Sequence, residues 1–254
     1  MAKKVRVPVV RMEQLEEGIY DLIIREEEIA ALAKPGQFLS LYLEDSSRLL
    51  PRPISICGIN KEEHTIRMVF RVAGEGTRQL SMLTAGDSVE VMGPLGNGFY
   101  DAKLKTAIVI GGGIGIPPML ELAKRLDCEK TIVLGYRDEL FLTEDFAPYG
   151  KVVLASEDGR HGTKGNVLDA IREQAVDGDV IYACGPIPML RAIKEYGLSN
   201  GMEVQISMEE KMACGIGACL ACVCNSTEVD GHSYVKNKRI CKDGPVFFAE
   251  EVEL

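Results

Sequence analysis

The chain has 254 residues, a formal net charge of −9, 46% hydrophobic residues and eight cysteines, so it is long enough for two ordinary domains and a small appendage. The negative balance argues against nucleic acid and anionic membrane surfaces as partners. No apolar run approaches the ~20 residues of a membrane helix, and no apolar segment follows the early Lys3 and Lys4 to make a signal peptide, so the expected location is cytoplasmic.

Residues 1–101 read as short alternating strands at 5–10, 19–24, 37–43, 53–59, 65–72 and 88–92. Several short strands at this spacing predict a small antiparallel barrel or sandwich. The fourth opens with Arg52-Pro53-Ile54-Ser55. An arginine fork suits a pyrophosphate, and a serine hydroxyl can bond a flavin ring nitrogen; alone, such residues occur on any exposed strand. Gly74-Glu75-Gly76-Thr77-Arg78 reads as a backbone nest with a hydroxyl, suited to phosphate oxygens. Gly93-Pro94-Leu95-Gly96-Asn97-Gly98-Phe99 reads as a rigid turn at the end of this block.

Residues 102–207 change character. Apolar strands at 106–110, 131–136, 151–156, 180–183 and 203–207 alternate with helices at 117–126, 167–175 and 187–196, the pattern of a parallel α/β sheet. The first strand runs into Gly111-Gly112-Gly113-Ile114-Gly115 and then Pro117-Pro118. Free N–H groups and the helix dipole at such a point favour a phosphate. Ile116 stands where the dinucleotide fingerprint wants its last glycine. The alternative is a tight turn with no ligand, which four glycines would weaken for no gain. Cys184-Gly185-Pro186 ends a second strand, and ligands in open α/β sheets bind at carboxyl strand ends. A lone cysteine such as Cys184 is commonly a small buried hydrophobe; its position beside Gly185 also suits a functional role.

Residues 208–254 are too short for an apolar core of their own. Cys214, Cys219 and Cys222, followed by Cys241, give C-x4-C-x2-C…C, the plant-type spacing of a [2Fe–2S] cluster. Zinc sites usually pair two short knuckles. Gly215, Gly217 and Ala218 are small enough for the backbone to wrap a cluster and point N–H groups at its sulfurs. Cys224 is read as a spare thiol, and Cys57 and Cys128 stand singly.

In this order these motifs resemble the ferredoxin–NADP reductase superfamily. Arg-Pro-Ile-Ser-Ile, Gly-Thr-Lys-Gly (162–165), the Ala-Cys-Gly-Ile-Gly-Ala-Cys run and the Cys-Lys-Asp-Gly-Pro-Val-Phe ending are similar to the electron-transfer subunits of two-subunit, NAD-dependent dihydroorotate dehydrogenases. The rather long Cys222–Cys241 interval predicts an extended hairpin through Asp230-Gly231. The resemblance implies an FAD-binding β-barrel (1–101), an NAD-binding α/β domain (102–207) and a [2Fe–2S] domain (208–254). It implies an FMN-containing catalytic partner in a heterotetramer with two of each subunit. Electrons from dihydroorotate would pass through cluster and FAD to NAD+, in pyrimidine (UMP) biosynthesis. Arg52, Pro53, Ile54, Ser55, Gly74, Gly76 and Thr77 would hold FAD, Gly112, Gly113, Gly115, Gly185 and Pro186 would hold NAD, and Cys184 would lie near the hydride path. Cys214, Cys219, Cys222 and Cys241 would ligate the cluster.

Asp138 and Glu139 after Arg137, and Glu157 and Asp158 after the third parallel strand, disfavour a 2′-phosphate, so NAD is expected over NADP. Val246, Phe247 and Phe248 are candidates for an apolar partner surface, with at least one of them packed in the core. Two other readings compete. One is the small flavin subunit of a ferredoxin-dependent NADH:NADP+ transhydrogenase or a sulfhydrogenase-type complex. The other is a zinc-stabilised binding module.

Overall fold

The computed structural model describes residues 3–43, 49–101, 106–137, 139–229 and 234–254. They divide into two compact units. One runs to Gly98 and takes in Glu209–Val223 and Arg239–Pro245. The other comprises Phe99–Met208, Cys224–Lys238 and Val246–Leu254.

The first unit is a closed barrel rather than a sandwich. Its strands are β1 (Lys3–Glu16), β2 (Ile19–Arg25), β3 (Phe38–Tyr42), β4 (Arg52–Asn60), β5 (Thr65–Arg71) and β6 (Ser88–Leu95), arranged β1-β2-β5-β4-β3-β6. Alternation builds it: Val7 and Val9, Leu22 and Ile24, Leu39 and Leu41, Met68 and Phe70, and Val89 and Val91 fill the interior, while the residues between them point outward. Each fully buried Leu, Ile or Phe contributes about 1.5–3 kcal/mol. Strand β1 runs well past position 10 through two register shifts. Its polar second half pairs there because β2 carries Asp21, fully buried. Both Asp21 carboxylate oxygens accept from Arg67 Nε at 3.1 Å, and Arg11 also donates. Two helices absent from the strand reading complete the unit. In α1 (Glu27–Leu32) the Glu26 carboxylate caps the Ile29 N–H at 2.6 Å. The second, α2 (Glu75–Leu80), occupies the run expected to be a bare nest.

The second unit is a parallel sheet of β7 (Thr106–Gly112), β8 (Glu129–Tyr136), β9 (Lys151–Ser156), β10 (Thr163–Lys164), β11 (Val180–Cys184) and β12 (Glu203–Ser207), ordered β10-β9-β8-β7-β11-β12. Its helices are α3 (Ile116–Arg125), α4 (Thr143–Phe146), α5 (Val167–Glu173) and α6 (Ile187–Ser199). Ile108, Val109, Ile110, Ile132, Val133, Ile181 and Ile206 are buried, as strands covered on both faces require. The Gly162–Gly165 motif forms the short strand β10, with both glycines at positive φ.

In the tail, β13 (Val223–Asn225) pairs with β14 (Asn237–Arg239), and the turn expected at Asp230-Gly231 lies outside the described residues. Strand β15 (Val246–Phe248) pairs antiparallel with β12. Val246 and Phe247 are thereby packed in the core, as expected of at least one of the three, and only Phe248 keeps partial exposure. Val246 and Phe247 are each 1% exposed, and Phe248 stacks on Tyr100 at 5.4 Å. The free edge of β12 offers the segment a hydrogen-bonded place, so its apolar side chains are drawn inward. Among the described residues no helix is long and apolar enough to cross a membrane.

Candidate redox and dinucleotide sites

Cys214, Cys219 and Cys222 lie on one loop after β12, and Cys241 on the turn after β14. No regular element carries them, so backbone conformation shapes the site. Gly215 and Gly217 have φ of 70° and 82°, a left-handed curl that glycine adopts without strain. The curl aims N–H groups at sulfur. Ile216 and Ala218 donate to Cys214 Sγ at 3.5 and 3.3 Å, Gly217 donates to Cys241 Sγ at 3.1 Å, and Cys241 N–H donates to Cys222 Sγ at 3.4 Å. The thiols are free and neighbour one another in two hydrogen-bonding pairs, Cys214 with Cys219 and Cys222 with Cys241. As free thiols they differ in acidity. Burial alone would raise Cys214, but the N–H groups of Ile216, Cys219 and Ala218 and the Cys219 thiol bring it down to about 6. Burial, then the Cys222 sulfur, pushes Cys241 up to about 12.

Among the described residues no three His, Cys, Asp or Glu side chains are grouped tightly enough to hold a single metal ion. Two sulfur pairs with N–H donors already directed at them match the needs of a two-iron cluster. Cys222 and Cys241 are buried, whereas Cys219 is exposed beside exposed Ile216, Leu220 and Val223. The Cys224 thiol donates to the Lys238 carbonyl at 3.5 Å.

The loop is braced by residues whose motifs had no assigned task. Arg239 Nε and Nη2 each donate to the Asp243 carboxylate at 2.9 Å, and Nη1 donates to the Gly217 carbonyl at 3.3 Å. Asn97 N–H donates to the Gly244 carbonyl at 2.7 Å, and its Nδ2 to the Asp243 carbonyl at 3.1 Å. Gly96 has φ of 72°, and a Cβ there would lie 2.5 Å from Pro245 Cδ. The Gly-Pro-Leu-Gly-Asn-Gly run therefore holds the turn that presents Cys241.

Arg52 opens β4, with Pro53, Ile54 and Ser55 half-buried after it. Its guanidinium donates to the Leu50 and Pro51 carbonyls and lies so close to Gly76 that any side chain there would overlap it. Gly76 belongs to the first turn of α2, where N–H groups have no helical acceptors. A cation held against the positive end of a helix suits an anion that binds both. Thr77 differs from expectation in detail. Its hydroxyl accepts from the Ala73 and Gly74 N–H groups at 2.9 and 3.2 Å and donates to the Gly74 carbonyl at 3.0 Å, fixing the turn itself. Gly74 is exposed and extended, with open space where a Cβ would stand. The arrangement fits the diphosphate of a dinucleotide.

In the second unit the chain winds from β7 through β8, β9 and β10, then returns to β11 on the other side of β7. Ligands of open sheets bind at such a switch point. The glycine loop follows β7, and Gly185-Pro186 follows β11, with Cys184 directly opposite Gly111. The glycines divide their duties. A side chain on Gly111 would meet Ile116, on Gly115 the Cys184 carbonyl, and on Gly112 or Gly185 the Met189 side chain. Of the glycines at this crevice, only Gly113 combines positive φ (53°) with open space. Met189, which had no sequence signal, covers two of the expected dinucleotide glycines. Cys184 is fully buried. Glu157 is exposed, and Asp158 is held down to about 2 by the Arg160 N–H and guanidinium. Asp138 lies outside the described residues.

Comparison with known proteins agrees with this geometry. Residues 209–253 match the family described as the iron-sulfur cluster binding domain of dihydroorotate dehydrogenase B. The chain is 44% identical over 263 residues to the dihydroorotate dehydrogenase B (NAD(+)) electron transfer subunit of Bacillus velezensis, covering 99% of this chain and all of that one. It is 42% identical to the corresponding subunit of Bacillus cereus, with both chains fully covered. A solved NADH-dependent reduced ferredoxin–NADP oxidoreductase, studied for flavin-based electron bifurcation, superposes with TM-score 0.88 at 28% identity, covering 97% of this chain and 89% of that one. The ferredoxin reductase of carbazole 1,9a-dioxygenase shares the fold, with TM-score 0.68 at 20% identity over 79% of this chain and 67% of that one. The chain belongs to the family of electron transfer subunits of NAD(+)-type dihydroorotate dehydrogenase B.

Proposed function

We propose that this chain carries electrons from a dihydroorotate-oxidising, FMN-containing partner to NAD+, working in the cytoplasm as half of a heterotetramer with two copies of each subunit. The observation that carries the reading is the cysteine loop, with its two sulfur pairs and the N–H groups directed at them. Bound together, FAD and a [2Fe–2S] cluster supply conversion between single-electron and hydride transfer. The functional divisions are 1–101 for FAD, 102–207 for NAD and 208–254 for the cluster.

Each residue has a physical task. Arg52 and the first turn of α2 at Gly76 hold the FAD diphosphate, Thr77 keeps that turn in shape, and Gly74 leaves its approach open. Pro53 gives the flavin an apolar bed, Ile54 packs into the barrel beneath it, and the Ser55 hydroxyl bonds the ring. Gly113 admits the NAD pyrophosphate at the start of α3. Gly112, Gly115, Gly185 and Pro186 set the crevice walls, and Cys184 stands at the end of β11 on the hydride path. Cys214, Cys219, Cys222 and Cys241 ligate the irons. The exposed rim of Ile216, Leu220 and Val223 beside Cys219 forms the partner surface, since electron transfer needs the cluster near that face.

Co-expression with the catalytic subunit tests the assignment. Isolation of a coloured complex that forms orotate while reducing NAD+ is expected. A partner carrying several [4Fe–4S] clusters and no orotate formation would favour the transhydrogenase reading that the bifurcating reductase suggests.

A further inference from the structure

Ser40 lies on β3 between Leu39 and Leu41, both of which point into the barrel. Alternation therefore turns its side chain outward. Yet Ser40 is 0% exposed, because the cysteine loop covers it. A Cβ built on Gly215, the residue after Cys214, would sit 3.1 Å from Ser40 Oγ, with Leu95 and Met92 completing the contact. Among the described residues Ser40 Oγ is the one buried side-chain oxygen or nitrogen with no hydrogen-bond partner. A buried hydroxyl without a partner is costly, so its persistence under this loop points to an acceptor that the protein atoms do not supply. Ser40 is also opposite Pro53 in the β3–β4 ladder, and Phe38 is opposite Ser55. The hydroxyl thus shares a sheet face with the proposed flavin bed.

We propose that the Ser40 hydroxyl donates a hydrogen bond to a sulfur of the cluster, an inference that rests on the cluster reading above. Donation stabilises the more negative, reduced cluster, so it raises the reduction potential. Ser40 is a positioning and tuning residue, and the covering loop keeps water from replacing it.

The test compares wild type with Ser40→Ala, which removes only the hydroxyl, by anaerobic redox titration followed by EPR. A pulsed-EPR measurement of exchangeable deuterons after transfer to D2O accompanies it. In the variant the reduced-to-oxidised ratio at the wild-type midpoint should fall about tenfold, equivalent to about 59 mV for one electron. One deuteron coupling should vanish while iron content and the flavin potential stay as in wild type. An unchanged cluster potential with unchanged deuteron couplings, or a shift confined to the flavin, would overturn the proposal. A wild-type protein with no cluster signal at all would instead remove the reading on which it rests.

Discussion

Two glycine-rich loops serve opposite ends. In the cysteine loop, Gly215 and Gly217 take left-handed φ so that the N–H groups of Ile216, Gly217 and Ala218 converge on sulfur. At the end of β7 and in the turn that follows, three of four glycines are small because other parts of the same unit occupy the space: Ile116 beside Gly111, Met189 beside Gly112, and the Cys184 carbonyl beside Gly115. Only Gly113 has the freedom a ligand would use. Glycine count alone does not separate a loop shaped around a ligand from one shaped by packing; what the freed backbone N–H groups point at does.

The sharpest way to break this contrast is in the cysteine loop. Cys241→Ser should abolish cluster absorption and remove most bound iron, whereas Cys224→Ser should leave iron content at the wild-type value. Retained iron in the first variant would mean that the last ligand lies elsewhere. Next in size is Gly115→Ala, which drives a methyl into the Cys184 carbonyl and should cost about 3 kcal/mol of stability through overpacking, read as a clear fall in Tm. Gly113→Ala should cost only about 1 kcal/mol of backbone strain while weakening NADH binding more than Gly115→Ala weakens it per unit of stability lost. Binding titrations alongside thermal melts would decide, and the reverse order would erase the distinction between the two glycines. The smallest effect is expected at Asp158→Asn. Its charge already meets Arg160, so the preference for NADH over NADPH should relax only about threefold, within the modest worth of an exposed charge. The ratio of kcat/KM values for the two cofactors measures it.

Local patterns made much of this molecule legible. Alternation located all six barrel strands, and apolar runs located the main parallel strands, because burial on one face or two leaves those periods in the chain. Cysteine spacing pointed to the candidate cluster ligands, since three of the four lie in one short segment. What remained hidden depends on partners far apart in sequence. The second half of β1 is held by a buried Asp21 between two arginines, which a search for apolar alternation passes over. The fate of Val246–Phe248 was set by the open edge of β12. Asn97 and Arg239 brace Cys241 through backbone carbonyls, and Ser40 matters only because a loop some 175 residues later covers it.

At the centre of the proposed function, the thiolates of the tail hold an iron pair able to exchange electrons with a flavin on the same chain. Anaerobic reduction of freshly purified protein by NADH, followed together by visible absorption and EPR, tests it most directly. Bleaching of both flavin and cluster bands, a reduced [2Fe–2S] signal and about two irons per chain are expected. A colourless, zinc-containing protein that does not react with NADH would contradict it.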